Sequence, residues 1–331
     1  MLKKRVYVQK DTCTKAHSDL FIIFIDDMLN AVSSHCNGLR VGNDAYSVLA
    51  YADDVTLFKS SLSGLQKSIN ICTEYAKLWR FKFNPNKSKF TVMGPKLFSS
   101  PPHIYLDGKL VNMSDDVNIL GVYFNSKNTC KDHIQHRIQQ CRLNYYSLGN
   151  TGLSYPGLDT EVKTHIWKSI CTPILTYGLE TLSLSNSSIS QLESTQGTFV
   201  KRYVGIGKRS HNTSLLKALD IPRVADHIAV KTLSLFNRCF KTPSILTSLY
   251  SRLLAEYIIL GQRNKDSIID RIVDLGFSPV NVAFSNCRFR VPHYVPGDGI
   301  VDSLRYLVYH ENFIKPWAEE HVLAVLLTRC F

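Results

Sequence analysis

The chain holds no two cysteines at CxxC spacing; its nine stand scattered at 13, 36, 72, 130, 141, 171, 239, 287 and 330. That scatter argues against a zinc ribbon and against a disulfide framework, so the thiols are expected to be reduced and mostly buried. Long apolar runs are also missing. The longest near the start, Leu20-Phe21-Ile22-Ile23-Phe24-Ile25, is far too short to span a bilayer, and no charged, apolar, small-residue leader opens the chain. The expectation is an intracellular protein, nuclear or cytoplasmic, with no membrane partner. Acidic residues are the minority charge: 27 Asp and Glu face 39 Lys and Arg, a net charge of +12 that favours a polyanionic partner. What is abundant is apolar material, 44% of 331 residues, enough for two or three buried cores.

One stretch organises the remainder. Val48-Leu49-Ala50 and Val55-Thr56-Leu57-Phe58 are apolar, β-favouring runs, and Tyr51-Ala52-Asp53-Asp54 lies between them where a strand should turn. The pattern predicts a β-hairpin that presents two adjacent carboxylates. Neighbouring like charges repel, so the pair makes most sense with a divalent cation between them and water; Asp as a plain turn residue is the alternative. Hard oxygen donors suit Mg²⁺ or Mn²⁺, and the chemistry such ions serve is phosphoryl or nucleotidyl transfer.

Tyr51-Ala52-Asp53-Asp54 with its flanks resembles the catalytic box of reverse transcriptases, in the form found in non-LTR retrotransposons of the LINE and jockey type. Further motifs follow in the order that family shows. A helix predicted from Ser63, with Leu65, Ile69, Cys72, Ala76 and Trp79 on one face and expected to pack beneath the sheet carrying the hairpin, comes first. Next is Asn84-Pro85-Asn86-Lys87-Ser88, similar to the family's Asn-x-x-Lys-Ser/Thr turn, and then Val117-Asn118-Ile119-Leu120-Gly121-Val122, similar to its primer grip. The resemblance implies Asp53 and Asp54 as metal ligands and catalytic residues, Lys87 as proton donor to departing pyrophosphate, and Tyr51, Ala52 and Asn84 against substrate. Leu120, Gly121 and Val122 would approach the primer end. Read without the resemblance, Lys87 is equally a solvated lysine on a turn, and 117–124 equally a core strand with a bulge. The implied partners are an RNA template, a DNA primer and dNTPs, and the implied cofactor is Mg²⁺ or Mn²⁺.

Two departures from the family are visible. The substrate-facing turn expected ahead of Ser18-Asp19-Leu20-Phe21 is missing or degenerate, and the first catalytic carboxylate has no clear counterpart. Residues 20–30 fit either a strand ending in Asp26 or, better, a helix with Leu20, Phe21, Phe24, Ile25, Met28 and Leu29 as its stripe. On the helix reading Asp26 and Asp27 are solvated, and an N-terminal fingers and palm segment has to come from elsewhere.

Beyond the primer-grip stretch the hydrophobic period changes from two to 3.6. Asp107-Gly108 before it predicts a hairpin between Ile104-Tyr105-Leu106 and Lys109-Leu110-Val111. After it, Ile134, Ile138, Cys141, Tyr145 and Leu148 predict a helix with Lys131, Arg137 and Arg142 off its apolar face. Val162, Ile166, Ile170, Ile174 and Tyr177 predict a second apolar face, broken near Pro173. Pro173 to Glu180 resembles a Pro-x-Leu-x-Tyr-Gly-x-Glu stretch that comes after LINE-type polymerase cores. Ser188-Ile189-Ser190-Gln191 reads as a capping box, 205–212 as a basic Gly-containing loop suited to phosphate or to plain solvent, and 222–240, 244–260, 267–275 and 315–329 as further helices. The expected fold is α+β: a partial polymerase palm over 1–128, a helical thumb over 129–220 and a helical extension over 221–331. The function expected from the resemblance is that of an RNA-directed DNA polymerase fragment, or of a remnant that only binds nucleic acid.

Overall fold

The computed structural model describes residues 15–35, 38–41, 44–93, 102–127, 129–153, 155, 157–242, 245–261, 267–285 and 289. The helix expected over 315–329 and the basic start of the chain lie outside them. The architecture is α+β, with two compact units: one takes Met1–Ile119 and Asn125–Asn128, the other Leu120–Phe124 and Thr129–Phe331.

In the first unit, helix α1 (Lys15–His35) leads to strands β1 (Leu39–Val41), β2 (Asp44–Tyr46), β3 (Val48–Tyr51) and β4 (Asp54–Leu57). The helix reading of 20–30 therefore holds, and Asp26 and Asp27 are exposed upon it, with Asp26 accepting a hydrogen bond from Asn30 at 3.0 Å. Strands β3 and β4 pair antiparallel with Val48 opposite Leu57 and Ala50 opposite Val55. This register puts Val48, Ala50, Val55 and Leu57 on one face, packed with Ile25, Met28 and Val32 of α1. Helix α2 (Leu62–Trp79) comes next, capped by Ser61, whose hydroxyl accepts from the Gly64 amide at 3.2 Å, and stopped by Arg80 in the left-handed region at φ 60. It packs against α1 and under the next sheet, so the helix applied to β3 is α1 and not, as expected, α2, whose apolar face would have suited that place as well.

That sheet contains β5 (Lys89–Phe90), β6 (Ile104–Leu106) and β7 (Lys109–Met113) in the order β5-β7-β6. The Asp107-Gly108 hairpin forms as expected, with positive φ at both residues and Leu106 opposite Lys109. Gln66 of α2 reaches the edge strand like an added rung: its carboxamide donates to the Tyr105 carbonyl at 2.8 Å and accepts from the Tyr105 amide at 2.9 Å. Strand β8 (Asp116–Ile119) ends this unit, and β9 (Val122–Asn125) begins across the Leu120-Gly121 turn.

The second unit is helical: α3 (Lys131–Leu148), α4 (Thr160–Ile166), α5 (Thr172–Thr176), α6 (Asn186–Val204), α7 (Asn212–Ala218), α8 (Val224–Lys241), α9 (Ile245–Leu260), α10 (Ile268–Asp274) and α11 (Pro279–Phe284). The stripe expected on α3 is its buried face: Ile134, Ile138, Cys141 and Tyr145 join the core. The face expected for 162–177 is displaced. Between α4 and α5 the chain makes a π-helical segment, Trp167–Cys171, just ahead of Pro173, whose ring nitrogen has no proton to donate. The buried stripe is Lys163, Trp167, Cys171 and Leu175, one residue on from the expected one along its whole length, while Val162 and Tyr177 are about half exposed. Trp167 sits among Tyr145, Phe199 and Tyr203. The capping box at 188–191 is also corrected: Ser185 is the N-cap, accepting from the Ser188 amide at 3.3 Å, because α6 begins three residues earlier. A second cluster centred on Leu233, Phe236 and Ile272 fills the space between α8, α9, α10 and α11. Arg271 ties it to the first, donating to the Glu180 carbonyl at 2.8 Å and to the Thr232 hydroxyl at 2.9 Å.

Candidate functional site

Strands β3 and β4 end where Tyr51 faces Asp54, leaving Ala52 and Asp53 as a two-residue turn. Ala52 takes φ 49, a left-handed conformation that costs a residue with a Cβ about 1 kcal/mol. Tyr51, Asp53 and Asp54 are exposed at this tip, while the opposite face of the same hairpin is buried on α1. Alternation therefore does the positioning: the inward residues anchor the ladder, and the two carboxylates project where the sheet ends. Their chemistry fits a hard divalent cation such as Mg²⁺ or Mn²⁺ in kind. In number the set is short, because among the described residues no group of three or more His, Cys, Asp or Glu could hold a metal. Asp26 and Asp27 do not join the tip.

Asn84 and Lys87 come together on a separate turn. The Asn84 side-chain oxygen accepts from the Asn86 amide at 3.0 Å, and its carbonyl accepts from Lys87 and Ser88 amides at 3.2 and 3.0 Å. Asn84 thus builds the turn, and the Lys87 side chain stands exposed on it.

Leu120, Gly121 and Val122 lie in the other unit. Leu120 has φ 51 and Gly121 φ 81, and positive φ at both central residues marks a tight turn of the I′ kind. Around this turn the structure assembles residues that sequence reasoning had not assigned to a site. The Tyr177 hydroxyl donates to the Leu120 carbonyl at 2.7 Å, and the Arg137 guanidinium lies over the Tyr177 ring at 5.4 Å. His133, fully buried, accepts at Nδ1 from the Tyr123 amide at 3.3 Å, which leaves Nε2 to donate to the Tyr177 carbonyl at 2.9 Å. Burial, aided by Arg137 and His136, pushes the His133 pKa below its ordinary value despite that carbonyl contact. Burial also pulls the Arg137 pKa down, and its Nε has no hydrogen-bond partner among the described residues. The signal available in advance was the Tyr177-Gly178 pair inside a recognisable stretch; His133 gave none, since a histidine on a helix face reads as packing.

Residues 18–124 match the family model described as reverse transcriptase (RNA-dependent DNA polymerase). This segment is similar to reverse transcriptases. The chain is also 24% identical over 216 residues to the RNA-directed DNA polymerase from mobile element jockey of Drosophila melanogaster, covering 63% of this chain and 23% of that protein. Together these support a fragment of a non-LTR retrotransposon reverse transcriptase. The chain spans under a quarter of the length of the relative it matches. The reverse transcriptase segment includes the carboxylate tip, the Asn84–Ser88 turn and the Leu120-Gly121 turn, and the alignment to the jockey protein is long enough to reach beyond it. No helix among the described residues is long and apolar enough to cross a membrane.

Proposed function

We propose that this chain is the part of an RNA-directed DNA polymerase that carries the double-carboxylate tip, adding dNTPs to a DNA primer on an RNA template, with a partial palm over 1–128, a thumb over 129–220 and a helical extension over 221–331. The observation that carries the reading is Asp53 and Asp54, adjacent and exposed at the end of a hairpin whose other face is buried, inside the segment that matches the family. Asp53 is the principal ligand for Mg²⁺ or Mn²⁺ and Asp54 its neighbour. Held there, the cation would acidify the primer 3′-hydroxyl and offset the charge on the transferred phosphoryl group. Tyr51 and Ala52 border the primer terminus and the nucleotide. Asn84 shapes the turn that presents Lys87, which protonates the departing pyrophosphate. Leu120, Gly121 and Val122 approach the primer end through backbone.

The described residues bring only two carboxylates to the tip, and on this reading the third is assigned to an upstream fingers and palm segment. The purified chain is therefore expected to bind a primed RNA template and not to extend it. Binding should weaken by about 10³-fold or more between 50 and 200 mM salt if six or more phosphates are contacted. Joined to an upstream fingers and palm segment of the same class, the chain should extend the primer with Mg²⁺ or Mn²⁺. Salt-insensitive binding together with no extension by the joined chain would remove the polymerase reading; salt-sensitive binding without extension would leave a nucleic-acid-binding remnant.

A further inference from the structure

Two sequence motifs about fifty residues apart interlock in the second unit through their glycines. A Cβ on Gly121 would stand 3.3 Å from Cε1 of Tyr177, and a Cβ on Gly178 would stand 2.8 Å from Cγ2 of Val122 and 3.3 Å from Nε2 of His133. Each glycine leaves the space that the other motif's side chain occupies. The Tyr177 hydroxyl then closes the pair on the Leu120 carbonyl at 2.7 Å. Leu120 needs that closure: it is a γ-branched residue held at φ 51, a left-handed conformation that its Cβ disfavours. His133 braces both sides, holding the Tyr123 amide after the turn and the Tyr177 carbonyl before Gly178.

We propose that Tyr177 is a positioning residue for the polymerase reaction: it locks the Leu120-Gly121 turn in the left-handed geometry that presents backbone to the primer 3′ end. The proposal rests on the polymerase reading for what the turn meets, but the lock itself stands on the contacts above. Loss of one neutral hydrogen bond loosens the turn by about fivefold, and the Tyr177 ring, its Arg137 partner and the packing of Gly121 survive in Tyr177→Phe.

Hydrogen exchange and primer-template binding on the full chain test it together. Tyr177→Phe should speed amide exchange across 118–122 by about fivefold. It should weaken binding of a template with a recessed primer 3′ end by a similar factor, while binding of the blunt duplex and the melting temperature stay as in the wild type. Leu120→Asn in the Tyr177→Phe background should restore slow exchange, because Asn-Gly holds such a turn unaided. Unchanged exchange in Tyr177→Phe overturns the lock, and so does failure of Leu120→Asn to rescue it. Faster exchange with equal losses on recessed and blunt duplexes overturns the positioning role and leaves a structural contact. A wild-type chain that does not distinguish recessed from blunt ends overturns the reading of what the turn meets, and the exchange result still decides the lock. Should Tyr177→Phe lower the melting temperature, the Leu120→Asn single variant in place of it should exchange more slowly than wild type over 118–122; no slowing overturns the claim that Leu120 is strained.

Discussion

Two of the tight turns that carry a residue with a Cβ at positive φ, those with Ala52 at 49 and Leu120 at 51, are supported in opposite ways. The turn at Ala52-Asp53 ends a hairpin ladder whose buried face is fixed on α1, and it presents charged side chains to solvent. The turn at Leu120-Gly121 is gripped from outside by Tyr177, with His133 and Gly178 behind. The contrast comes from what each would offer. Carboxylates that take up a cation must be exposed and need only a firm base, whereas a turn that acts through its own backbone has no side chain to aim and must be held by neighbours.

The sharpest way to break the comparison is at the charged tip. In the chain joined to an upstream fingers and palm segment, Asp53→Asn should lower primer extension by about 10³-fold or more, with stability changed by less than about 0.5 kcal/mol because the side chain is exposed. Gel-resolved extension and urea unfolding on the same variant separate the two effects. A large loss of stability would mean that Asp53 is structural. At the gripped turn the balance should reverse: Gly178→Ala puts a Cβ 2.8 Å from Val122 at φ 74 and should cost about 2–3 kcal/mol in unfolding free energy. A cost as small as that of Asp53→Asn would erase the distinction between the turns.

Acid sharpens the contrast next. His133 is neutral in the fold, with a pKa below its ordinary value because it is buried beside Arg137 and His136. Its contribution to stability is complete above the unfolded value near 6.5 and is lost as pH falls from there through the folded value. Below about pH 6.5 the Tyr123 amide should therefore exchange faster once intrinsic rates are corrected for pH, and protection in β3 and β4 should change less. Helix α8 offers a check on sign elsewhere in the unit. Burial pulls His227 down to about 4 and pushes Asp226 up to about 6, so their contributions to stability oppose each other over that range. Asp226→Asn should steepen the loss of stability between about pH 6 and pH 4, and chemical unfolding at the two pH values measures it. A slope unchanged or shallower would contradict the burial of Asp226.

The smallest effect is expected at Ala52. Glycine there removes the left-handed strain but adds chain entropy in the unfolded state, so Ala52→Gly should raise stability by less than about 1 kcal/mol. A clear loss would show that the Cβ of Ala52 is packed.

Much of the first unit could be read directly because its elements are local. Alternating residues on both sides of Tyr51-Ala52-Asp53-Asp54 and the Asp107-Gly108 pair specify hairpins through neighbouring residues, and a 3.6-residue stripe specifies α2 whatever it packs on. Which helix would cover β3 was not legible, since α1 and α2 each carry a suitable apolar face and only packing chooses between them.

By itself, then, the sequence determined the carboxylate hairpin, the Leu-Gly turn, the longer helices among the described residues and the likeness of 18–124 to reverse transcriptases, each a matter of residue types at short spacing. Tertiary structure alone decided which face of 160–176 is buried, because two adjacent stripes, 162-166-170-174 and 163-167-171-175, share one spacing and only the neighbouring helices select the second. It alone also brought Tyr177, Gly178 and His133 to Leu120-Gly121. Long-range complementarity of this kind, one glycine's missing Cβ matched to another motif's side chain, leaves no periodic trace in a single chain and exists only when the two stretches meet.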